Sequence, residues 1–148
     1  MNPDLNRRAL LRASLALGAG FAWPAARGCE YFASTLRITH PWTRATEPGE
    51  TVAGVFMKID EVILADRLIG VETPVASGAE MAGTATGSAV DLLLPQGQEI
   101  ELSESGVFIR LTGLKHPLQI ARSYPLLLQF ELGGMVNSTL NIDYARFS

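Results

Sequence analysis

Leu126-Leu127-Leu128-Gln129-Phe130-Glu131-Leu132 is the stretch that decides the fold class. Leu126, Leu128, Phe130 and Leu132 recur at every second position. Side chains alternate across an extended strand, so these four share one face, whereas a helix of about 3.6 residues per turn would scatter them. Gly133-Gly134 then turns the chain. It returns through Thr139 to Tyr144, where Leu140, Ile142 and Tyr144 alternate with polar residues. Met135, just after the glycines, reads as a turn-flanking or packing residue.

The same period recurs towards the N-terminus. Thr51 to Ile59 places Ala53, Val55, Met57 and Ile59 on one side, so Met57 reads as core. Leu36-Arg37-Ile38-Thr39 alternates and is expected to stop at Pro41, and Arg67 to Val71 ends near Pro74. Ala89 to Leu94, Glu99 to Leu102 and Val107 to Leu111 follow. Pro95-Gln96-Gly97-Gln98 separates the first two, and Ser103-Glu104-Ser105-Gly106, read as a hairpin turn, separates the last two. About eight short strands at this spacing predict an all-β sandwich. In Val107 to Thr112, Ile109 and Leu111 should face the core with Val107, leaving Phe108 and Arg110 outward with Thr112.

A chain of 148 residues allows one domain of ordinary size. The hydrophobic fraction of 47% fills a core, and a formal charge of −3 excludes a nucleic-acid binder driven by phosphate contacts. One cysteine excludes a disulfide within the chain and a cysteine-based zinc site.

Residues 1–28 read as a cleaved signal peptide. Arg7, Arg8 and Arg12 precede an apolar stretch from Ala13 to Trp23, too short for the ~30 Å hydrocarbon core of a bilayer. Asn6-Arg7-Arg8-Ala9-Leu10-Leu11-Arg12 resembles the twin-arginine export motif, and Ala26-Arg27-Gly28 offers small residues before Cys29. Either export route leads to the periplasm. Arg27 fits a lipoprotein processing site badly, so Cys29 is expected as a free thiol. Cleavage deletes four arginines and one aspartate and takes the formal charge to −6. A short segment, 29–35, would then lead into one sandwich domain, 36–148.

Three segments carry a family resemblance. They are Ile38-Thr39-His40-Pro41-Trp42-Thr43-Arg44 with Pro48-Gly49, Asp66 to Val71 with Ala79-Glu80-Met81, and Leu111-Thr112-Gly113-Leu114-Lys115-His116-Pro117-Leu118 with Pro125-Leu126. Together they resemble the periplasmic copper chaperone family called PCuAC, over residues 38–148. The resemblance implies a cupredoxin-like β-sandwich and delivery of Cu(I) to a respiratory oxidase, with an oxidase subunit or a copper-site assembly protein as partner. It also implies a His, Met, His-x-Met ligand set, soft donors that select Cu(I). The corresponding positions here are Ala82, Leu93, Phe108 and Arg110. The interval from Leu93 to Phe108 is fifteen positions, about seven shorter than the family's.

With those ligands replaced, no bound cofactor is expected, and action through protein contacts at Phe108 and Arg110 is the leading reading. The alternative is a relocated Cu(I) site built from Met81 with His40 or His116. Each histidine precedes a proline, which favours extended backbone and loop edges. Glu99, Glu101 and Glu104 read as a solvated face. Neither histidine has a nucleophile-and-acid setting, and no phosphate loop or His-Glu-x-x-His helix occurs, so the chain reads as a non-enzyme.

Overall fold

The computed structural model describes residues 29–83 and 88–143. The expected signal peptide with its twin-arginine motif, and Tyr144, lie outside them. The chain forms β1 (Glu30–Phe32), β2 (Arg37–Arg44), β3 (Val52–Asp60), β4 (Asp66–Glu72) and β5 (Ala76–Ala82). It continues through β6 (Leu92–Leu94), β7 (Ile100–Leu102), β8 (Phe108–Leu114), β9 (Ser123–Phe130) and β10 (Gly134–Asp143). The described residues are all-β. One curled sheet runs in the order β5-β8-β3-β2-β10-β9-β4-β6, with β1 added to β2 and β7 added to β3. Every pairing is antiparallel except that of β2 with β10.

Alternation builds the core. Ala53, Val55, Met57 and Ile59 of β3 are buried, as are Leu126, Leu128 and Phe130 of β9 and Val136, Leu140 and Ile142 of β10. Burying each of these side chains larger than alanine contributes roughly 1.5–3 kcal/mol. Asp66 anchors one end of the sandwich from a buried position. Its carboxylate accepts hydrogen bonds from Thr35 Oγ1 and from the backbone N–H of Arg67, Leu132 and Gly133, at 2.7–2.8 Å. Burial opposes its charge, but these four donors outweigh it and hold the carboxyl below the usual aspartate range. Arg37 ties β2 to β3 by a two-pronged pair with Asp60 at 2.8 and 2.7 Å, which lowers the Asp60 pKa.

Among the described residues ten strands form where eight were expected, and several boundaries differ. β1 and β5 are additional. β2 runs through Pro41 to Arg44, because a register shift between Thr39 and Trp42, with His40 at φ 49°, takes up the missing proline N–H. β6 is shorter than the expected 89–94, and β9 ends at Phe130. Leu132 is therefore exposed in the turn, where its N–H bonds Asp66. Met135 lies within β10.

Ser103–Gly106 is not a hairpin turn. Both β7 and β8 run antiparallel along the same edge of β3, Leu102 opposite Met57 and Ile109 opposite Val55. The other edge of β3 is taken by β2. The intervening residues loop out of one interrupted strand and close on themselves, with Gly106 N–H donating to Ser103 O and Ser103 N–H to Val107 O.

Candidate functional site

The outer face of the layer β2–β3–β8–β5 gathers the residues of interest. Ile109 and Leu111 are fully buried, and Val107 packs against the core; Phe108 and Arg110 lie on the opposite face of β8, both half-buried, with Phe108 also touching the edge of the core. This is the expected register of β8. Pairing carries the face onto β5, where Ala82 stands opposite Phe108 and Glu80 opposite Arg110. It continues onto β3, where Gly54 stands opposite Arg110.

An aromatic row crosses these strands. Trp42 and Phe56 are direct cross-strand partners with ring centroids 4.8 Å apart, and Phe56 meets Phe108 at 5.5 Å. Gly54 makes the convergence possible. A Cβ there would lie 2.7 Å from Phe56 Cζ and 3.3 Å from two Phe108 ring carbons. The guanidinium of Arg110 lies 5.9 Å from the Phe108 centroid and donates to Glu80 Oε1 at 3.3 Å. The row thus ends in a cation that is both stacked and paired. Phe108 covers its neighbours and is not a bare outward ring.

Beside Trp42 and Phe56 a cleft of about 360 Å³ opens, walled by Glu101, Leu102, Ser103, Glu104 and Ser105. Arg44 grips Glu104 with two hydrogen bonds, at 2.8 and 2.5 Å. Lys58 reaches Glu99 at 3.2 Å. The acidic run is therefore partly paired and not simply solvated.

Of the four mapped ligand positions, the structure brings Ala82, Phe108 and Arg110 onto one face of two paired strands. Leu93 stands elsewhere. It lies on β6, exposed, opposite Arg67 of β4. Ala82, Leu93 and Phe108 carry no donor atom for a metal, and Arg110 carries a cation.

The fallback residues do not converge. The Met81 side chain is buried in the core opposite Ile109. His40 Nε2 lies 3.1 Å from Asp143 Oδ2. His116 is exposed, stacks on Tyr124 at 5.6 Å, and has Nδ1 2.9 Å from Pro117 O. Among the described residues, no group of three or more His, Cys, Asp or Glu is placed to hold a metal. Cys29 is free and exposed.

The sequence reading missed Trp42, Phe56, Gly54 and Glu80 as members of this face. One signal for Phe56 was present: Val55-Phe56-Met57 breaks the polar half of the β3 alternation, so both faces of that strand needed cover.

The curled all-β sheet is the fold of the PCuAC copper-chaperone domains. The chain belongs to the LpqE-like family, described as "Putative lipoprotein LpqE-like", whose match spans residues 36–142. Among solved structures, it is similar to the apo PCuAC domain from PmoF1, at 30% identity and TM-score 0.71, covering 78% of this chain and 98% of that one. The copper-bound PCuAC domain from PmoF2 matches at 25% identity and TM-score 0.71, over 78% and 97% of the two chains. The Cu(I) form of DR1885 from Deinococcus radiodurans shares the fold, at 21% identity and TM-score 0.61, over 72% and 76%. No curated protein matches the chain.

Proposed function

We propose that this chain is an exported, non-enzymatic member of the copper-chaperone class. It acts in copper-centre assembly through protein contacts and does not carry Cu(I) on the β5–β8 face. The observation behind this reading is the Glu80–Arg110–Phe108 arrangement. Cu(I) is held by soft thioether and imidazole donors, and here the corresponding face offers a methyl group, an aromatic ring and a paired guanidinium. A guanidinium also repels the metal cation directly. Aromatic and arginine side chains are favoured anchors of protein interfaces, which supports a contact at Phe108 and Arg110.

Delivery of copper by this chain itself would need the relocated set. Met81 points into the core, His40 is engaged by Asp143, and His116 follows the end of β8 that pairs with Ala76 and not with Met81, so the geometry speaks against that set. The expected partner is an oxidase subunit or a copper-site assembly protein in the periplasm. No helix among the described residues is long and apolar enough to cross a membrane.

Titration of the purified protein with Cu(I) against a competing chelator tests the copper half of the proposal. No competition is expected. Stoichiometric binding that disappears in Met81→Ala or His116→Ala would establish the relocated site instead. Capture of periplasmic proteins on immobilised chain tests the contact half. Retention of a copper-site protein should be lost in a Phe108→Ala, Arg110→Ala variant, and retention that survives both changes would place the contact elsewhere.

A further inference from the structure

The cleft beside Trp42 has a composition of its own. It is lined by the tilted pair of Trp42 and Phe56 together with Glu101, Ser103, Glu104 and Ser105. Glu104 is taken by Arg44. Glu101 forms no ion pair or side-chain hydrogen bond with any described residue, although Lys58 is its cross-strand partner. The Lys58 ammonium turns to Glu99 at 3.2 Å and Asp60 at 3.7 Å. One carboxylate of the cleft is thus left without a direct ion-pair partner beside the aromatic pair.

An aromatic face and an unpaired carboxylate both attract a cation, the first through its quadrupole and the second through its charge. The same face already holds one such guest from its own chain: Arg110 lies over Phe108 and pairs with Glu80. We propose that the cleft receives an arginine side chain presented by a partner protein, its guanidinium lying against Trp42 and pairing with Glu101. Arginine suits it better than lysine, because a planar, weakly hydrated guanidinium stacks and forks to a carboxylate at once. A volume of about 360 Å³ admits a side chain and excludes a helix or a strand. Residues 29–148 carry a formal charge of −6, which favours encounter with a basic partner. This inference rests on the protein-contact reading and specifies the chemistry of the contact.

The test uses the full chain, labelled with ¹⁵N, and the indole N–H resonance of Trp42, distinguished from that of Trp23 with a Trp23→Phe variant. The probe is N-acetyl-arginine methylamide, with the isosteric, uncharged citrulline derivative as its control. The expected result is a saturable shift of the Trp42 indole by the arginine probe. Binding should weaken about threefold or more with citrulline, and by a similar factor in Glu101→Gln. Glu101 is exposed, so that variant keeps the fold even if Trp42→Leu does not. Absence of a saturable shift, equal binding of citrulline, or unchanged binding in Glu101→Gln would each overturn the inference. Capture dependent on Phe108 and Arg110 is read separately, so a failed cleft and a failed contact face give different results.

Discussion

The Phe108 ring rests on Phe56, centroids 5.5 Å apart at 53°, and the two rings converge over the bare backbone of Gly54. A row of aromatics on the outside of a sheet is thereby kept in contact by one missing side chain. Gly54→Ala should lower stability by about 1–3 kcal/mol, because a Cβ 2.7 Å from Phe56 Cζ forces that ring to move. Denaturant midpoints measure it. Since the clash is with one ring, the penalty should shrink when Gly54→Ala is combined with Phe56→Leu, a non-additivity expected of side chains in contact.

Asp66 predicts a specific acid sensitivity. Its folded-state pKa is depressed by four hydrogen bonds, so its contribution is complete above the unfolded value of about 3.9 and is lost as pH falls through the folded value. Asp60, lowered by its hydrogen bonds with Arg37, acts in the same direction. Thermal unfolding followed from pH 7 downward should show stability falling in acid. In Asp66→Asn that acid loss should be smaller, while stability at pH 7 should drop by about 2–4 kcal/mol. The amide cannot accept from all four donors, because its NH₂ group faces N–H or O–H groups that also donate.

How far the chain can be read without coordinates follows from what alternation records. β3 and β9 were legible because one face of each is buried and the period of two survives intact. β5 was not, because Ala76-Ser77-Gly78-Ala79-Glu80-Met81-Ala82 has small residues on both faces, and its outward Ala82 is itself buried. Ser103-Glu104-Ser105-Gly106 carries turn residues that serve a hairpin and a looped-out insertion equally. Only the pairing of both flanks to β3 separates the two. The identities at Ala82, Phe108 and Arg110 could be read directly, but their aromatic neighbours could not. Trp42 meets Phe56 through a register that passes a bulge at His40 and Pro41.

Gly83 closes the end of β5 against the looped-out segment. It has φ +80°, and a Cβ there would lie 2.1 Å from the carbonyl oxygen of Gly106. That neighbour is backbone and cannot rotate aside as a ring can. Gly83→Ala should therefore cost more than Gly54→Ala, about 2–4 kcal/mol, and its midpoint should not recover when Phe56 or Phe108 is trimmed.

Three substitutions on the β5–β8 face should rebuild a copper site. Ala82 and Phe108 are opposite one another, and Arg110 is two residues further along the same face of β8. Ala82→His with Phe108→His and Arg110→Met would set two imidazoles and a thioether on neighbouring strands, a donor set suited to Cu(I). Removing the Phe108 ring also opens space beside the buried Ala82 and releases Glu80 from its arginine. The triple variant should compete with a chelator for Cu(I) where the parent does not, and it should be less stable through loss of the Phe56–Phe108 contact. Adding Leu93→Met should change the affinity little, because Leu93 is exposed on β6, opposite Arg67 on a strand that pairs with β4 and with neither β5 nor β8. A gain of tenfold or more from that fourth change would mean that β6 moves to the β5–β8 face when copper binds. No gain from any of the three would locate the obstacle in the spacing of the strands, beyond the side chains they carry.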